Sequence, residues 1–254
     1  MQKNIIKILF ICFLSISNLW AYRCHSDRCT DLRFGLGSYY GNFTTHYGDI
    51  NDIGGLFAGL MEGHWRYFNV GFDLNMAYAY QHNKHFGSQT FTYTISPYIG
   101  ANTGSLHKPF FIDFVMPLEY YEFGLSTNYR ERNGSIFFGG RIYQRIPITE
   151  EHEIEYSLSY SVAPIVRRTF YGYNELVKGN NIHRIEFNLG YLYRNDLENV
   201  YQEEDRLKRP DFYTRLKAIY YRQNQVELTP TLQYPSANNF ALMLEVGVSL
   251  DTSW

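Results

Sequence analysis

Between Phe240 and Trp254 the even positions read Phe240, Leu242, Leu244, Val246, Val248, Leu250, Thr252 and Trp254, an almost unbroken apolar row. The odd positions between them read Ala241, Met243, Glu245, Gly247, Ser249, Asp251 and Ser253. Alternation with period two is the mark of a β-strand with one oily and one polar face. A strand of a soluble domain typically has ~5–6 residues, whereas a tilted strand crossing a bilayer needs ~9–11. A row of this length therefore constrains the fold strongly: it fits a strand set in lipid.

The pattern recurs along the chain. Phe68 to Tyr80 repeats it with Val70, Phe72, Leu74, Met76 and Tyr78 against Asn69, Gly71, Asp73, Asn75 and Ala77. Ile154 to Val166 repeats it with Tyr156, Leu158, Tyr160 and Val162 against Glu155, Ser157, Ser159 and Ser161. Weaker copies begin at Leu32, Ile53, Phe91, Phe110, Tyr121, Ile136, Ile185, Phe212 and Val226. The apolar phase flips at Pro117–Glu119, which predicts a turn, because a one-residue slip sends every side chain to the other face. Asn133-Gly134 predicts a hairpin turn, and the charged stretch 195–210 a solvated loop. The expected fold is all-β, a single antiparallel up-and-down transmembrane barrel of about 12 strands, or 10 if the segments around Pro117 merge.

Which side faces lipid follows from the cost of burying charge. The polar rows carry carboxylates and guanidinium groups that a dry core would have to pair. Turned to an enclosed lumen, with the apolar rows outward, both faces are suitably placed and a closed sheet satisfies its own backbone. The 24 Tyr and 19 Phe supply the aromatic girdles that such barrels carry at both interfaces. A net charge of -2 gives no electrostatic case for nucleic acid.

The first 21 residues read as a secretory signal, with Lys3 and Lys7 ahead of an apolar run from Ile8 to Ile16 and Ala21 at the cut. Residues 22–254 then form the barrel domain. Cys24 and Cys29 are expected to close a small disulfide loop in an oxidising compartment. No cofactor and no metal site is expected.

The last strand resembles the β-signal of Gram-negative outer-membrane barrel proteins, carried here by Leu244, Val246, Val248, Leu250 and Trp254. That resemblance implies residence in the bacterial outer membrane, contact with its lipid, and recognition by the barrel-assembly machinery.

The candidate lumen residues are Arg33, Asp73, Arg141, Arg145, Glu153, Glu155, Arg184, Glu186, Arg215, Lys217, Glu227 and Glu245. Charges of both signs allow two readings. The favoured one is a narrow pore for small hydrophilic solutes, with these residues as solute contacts. The alternative is a structural or adhesive barrel whose lumen is plugged by the same charges. A third reading, a lipid-modifying enzyme, would need one of Ser157, Ser159 or Ser161 beside His152 or His183.

Overall fold

The computed structural model describes residues 28–45, 48–82, 87–104, 109–124, 130–149, 151–170, 173–194, 211–229 and 232–253. The signal segment, Cys24, the loop 195–210 and Trp254 lie outside the described residues. The wall begins with β1 (Arg28–Thr45), β2 (Gly48–Trp65), β3 (Phe68–His82) and β4 (Gly87–Asn102). It continues with β5 (Phe110–Val115), β6 (Leu118–Phe123), β7 (Glu131–Ile136), β8 (Phe138–Pro147), β9 (His152–Phe170) and β10 (Tyr173–Tyr193). Then come β11 (Asp211–Gln223), the short β12 (Val226–Thr229) and β13 (Leu232–Tyr234), and β14 (Ala237–Ser253).

Every pairing is antiparallel, and β1 closes the ring by pairing with both β2 and β14. β5 and β6 both pair with β4 and follow one register, Tyr98 opposite Val115 and Ile95 opposite Leu118. They are two lengths of one stave. β7 and β8 likewise form one stave between β5–β6 and β9. The barrel therefore has 10 staves, the alternative count.

Three local expectations give way. Pro117–Glu119 is no turn: Pro117 merely lacks the N–H that would continue the ladder. The chain runs straight through, with the Met116 N–H donating to the Pro97 carbonyl (3.0 Å) and the Phe137 N–H to that of Pro117 (2.8 Å). Asn133-Gly134 lies inside β7, with Asn133 opposite both Tyr121 and Arg168, so it is wall and not hairpin turn. Val226 to Tyr234 is no stave either. It folds into the separate β12–β13 hairpin, whose strands of 4 and 3 residues are too short to span.

The end holding Cys29 and Ser253, which are cross-strand partners, is the near end of the barrel; the opposite end is the far end. Leu36, Ile53, Phe72, Ile112, Leu158, Phe187, Leu244 and Val246 point outward and are exposed. Inward residues are buried, and the alternation holds along nearly every stave. In β9 it slips at Pro164 and Ile165, both exposed, so that Ala163 and Val166 both face inward. The register against the neighbouring stave shows this as a bulge in β9: Phe138 pairs with Val162 but Ser135 pairs with Val166, so β9 carries one extra residue.

Candidate functional site: the filled lumen

The near half of the lumen is a network of ion pairs that crosses the barrel. Arg33 on β1 binds Asp31 on its own strand (2.6 Å) and reaches Glu155 on β9 (2.6 Å). Arg145 on β8 bonds Asp31 on β1, which stands opposite it in the ring, and Glu62 on β2 at 3.3 Å. Glu153 and Glu155 flank the same guanidinium, at 3.7 and 3.6 Å. The Tyr143 hydroxyl accepts a bond from Arg145 and donates one to Glu155 (3.3 Å). Arg145 is 1% exposed, as is Arg33.

Glycine makes room for these reaching side chains. A Cβ on Gly190 would lie 2.6 Å from Cγ of Glu155, and one on Gly35 would lie 2.5 Å from the Tyr213 hydroxyl. Side chains there would occupy the space that the network uses.

A second ionic layer lies toward mid-barrel. Arg215 on β11 donates across the lumen to Asp73 on β3 (2.9 Å) and also bonds Glu245 on neighbouring β14. The Lys217 ammonium donates to Asp73 at 2.7 Å. Arg184 on β10 joins Glu119 on β6 (2.6 Å) and Glu186 on its own strand. Arg141 pairs with Asp113 (2.6 Å), and its guanidinium lies 3.7 Å from the centre of the Tyr98 ring.

The far half is filled by rings. Phe43 packs on Tyr121 at 5.0 Å and on Phe123 at 5.5 Å between ring centres, while Tyr221 meets Tyr121 edge-on. The Tyr221 hydroxyl donates to Glu119 (3.0 Å), which stitches the aromatic layer to the ionic one. At the mouth the β12–β13 hairpin turns Tyr234 inward. Its hydroxyl donates to Glu131 (2.6 Å), and the Arg168 guanidinium lies 3.5 Å from its ring centre. Between these rings is a small pocket, lined also by Asn133, Phe137, Gln223 and Asn239.

Of the residues expected in the lumen, Arg33, Asp73, Arg141, Arg145, Glu153, Glu155, Arg184, Glu186, Arg215, Lys217 and Glu245 all face inward, and they are brought together in the two ionic layers. Glu227 is not among them, because it belongs to β12 outside the wall. Asp31, Glu62, Glu119, Glu131 and Arg168 complete the networks and were not foreseen. Ser157, Ser159 and Ser161 are buried in the lumen, Ser157 accepting a bond from Asn188 (2.8 Å). His152 and His183 are on the outward face, bonded to Tyr191 (2.6 Å) and Tyr160 (2.7 Å). The sheet thus separates these serines from both histidines. Among the described residues no group of three or more His, Cys, Asp or Glu is placed to hold a metal ion.

No protein-family model matches the sequence, and no curated protein matches it. Among solved structures, the outer membrane protease OmpT from Escherichia coli is similar, with a TM-score of 0.50 and 9% identity. The match covers 93% of this chain and 100% of that one. The fold is that of an outer-membrane β-barrel. The β domain of the Bordetella autotransporter BrkA aligns over 89% of this chain and 100% of that one, at 13% identity and a TM-score of 0.41. At such identities the likeness concerns the fold alone, and function rests on the lumen itself.

Proposed function

We propose that this chain is a bacterial outer-membrane barrel with a sealed lumen, a structural or surface-exposed protein and not a solute channel. The belt of outward apolar side chains supports residence in a bilayer, since so much exposed oily surface is untenable in water. The outward row Leu244, Val246, Val248 and Leu250 on β14 supports recognition by the barrel-assembly machinery.

The observation that carries the sealed reading is the bond from Arg145 to Asp31 on the opposite side of the ring. A contact that crosses the barrel, with Glu62, Glu153 and Glu155 packed around it, blocks the axis at that level. Opening it would strand buried carboxylates without their cation, which costs about 3–5 kcal/mol. Barrels of about 8 strands are filled by side chains, and wide aqueous channels belong to barrels of about 16 strands. Ten staves with long arginines inside fit the filled regime.

Liposome swelling tests this reading. Folded protein in vesicles is expected to leave the uptake of small sugars and amino acids at the protein-free rate. Swelling that rises with the amount of folded protein overturns the sealed reading and restores the narrow pore.

A further inference from the structure

The outer wall carries a feature that neither the lumen nor the apolar belt uses. On β14, β11, β10 and β9, Phe240, Tyr220, Ile185 and Tyr160 are successive cross-strand neighbours, all outward and exposed. On β14 and β11, Phe240 and Tyr220 are the last outward apolar side chains before the far end. One step further out the neighbouring row is Asn238, Arg222, His183 and Val162. Two tyrosine hydroxyls of the first row turn toward it: Tyr220 donates to Asn238 (2.8 Å), and Tyr160 bonds Nδ1 of His183 (2.7 Å). Polar ends of interfacial aromatics face the headgroups, so Tyr220 marks the approach to the headgroups on β11.

At that height Arg222 is exposed and has no ion or hydrogen-bond partner among the described residues. Arg167, further out on β9, is exposed and equally unpaired. Opposite Arg167 on β7 is Gly134, where an added Cβ would meet nothing within 4 Å, so the wall on that side of Arg167 is bare. Among the described side chains, no carboxylate faces outward at the far ends of β9, β10, β11 or β14. The exposed arginines on the neighbouring stave, Arg130 and Arg132, are by contrast already taken by Glu122. Among the described side chains the two guanidinium groups therefore have no counter-charge, and each lies beyond the apolar side chains of its own stave, on the headgroup side.

We propose that Arg222 and Arg167, with His183, form a binding site for the phosphate groups of a phosphorylated glycolipid in the outer leaflet. The assignment rests on the outer-membrane reading, in which an even number of staves leaves the start of β1 and the end of β14 on one side, taken as the periplasmic one as in single-chain bacterial barrels; the far-end row then lies at the outer surface. A guanidinium fork donates two parallel hydrogen bonds to phosphate oxygens, and Nε2 of His183 is left to a third.

The full chain folded in phosphatidylcholine nanodiscs, titrated with diphosphoryl lipid A and read by native mass spectrometry, tests the site. The dephosphorylated lipid and inorganic phosphate serve as the other arms. Diphosphoryl lipid A is expected to bind in preference to both, and Arg222→Ala and Arg167→Ala are each expected to weaken it about fivefold, with folded barrel yield unchanged because both side chains are exposed. Equal retention of the phosphorylated and dephosphorylated lipids, or wild-type affinity in the double variant, overturns the proposal. Free phosphate binding as tightly as the lipid overturns the lipid as its source. A chain that folds in the discs without discriminating sinks this site alone; one that stays soluble without lipid or detergent sinks the membrane reading with it.

Discussion

The two halves of the lumen are enclosed by the same ten staves yet are filled by opposite chemistry. The near half holds guanidinium–carboxylate pairs that reach across the ring, such as Arg145 with Asp31 and Arg33 with Glu155. The far half holds Phe43, Tyr121, Phe123, Phe137 and Tyr221 in contact with one another. Ion pairs in a closed lumen must be complete, because each lost partner leaves a buried charge. Ring packing loses contact area in proportion to what is removed, and its neighbours can shift. Closure of the barrel thus rests on the near half, while the far half, next to a pocket, is the more adaptable.

The largest expected effect breaks the ionic side. Arg145→Met should remove about 4 kcal/mol from the unfolding free energy, seen as a lower urea midpoint of the folded barrel in detergent, and adding Glu155→Gln should recover part of the loss. Phe43→Ala should cost about 3 kcal/mol in the same titration, with no recovery from any charge-neutralising partner. Tyr221→Phe, which removes the donor to Glu119 and leaves the ring in place, should cost about 2 kcal/mol. That value would measure the seam between the two layers. Smallest of all, Arg132→Ala at the exposed pair with Glu122 should change stability by about 0.5 kcal/mol, an effect lost in high salt. The effect of Arg145→Met should persist there, because its partners are shielded from the solvent.

The same contrast explains what the sequence revealed. The outward rows were legible because lipid demands apolar side chains at every second position, and the inward charges of the near half stood out against them. The far half hid itself. Tyr121 and Phe123 face inward, but an aromatic inside looks like an aromatic outside, so the oily row seemed to change phase and a turn was inferred at Pro117. Once Phe111, Asp113, Val115, Glu119, Tyr121 and Phe123 are placed on one inward face, no phase change remains. Asp31 shares parity with Arg33 but sits at a strand start, and Glu62 sits in a glycine-rich stretch where alternation is weak. Glu119 was assigned to the false turn. Arg168 was hidden beyond the β9 bulge, which shifts parity by one residue.

Single-channel recording across a planar lipid bilayer tests closure most directly. The account predicts a flat baseline from folded wild-type protein at all voltages that the bilayer tolerates. Reproducible, stepwise ion currents from that same protein would contradict it.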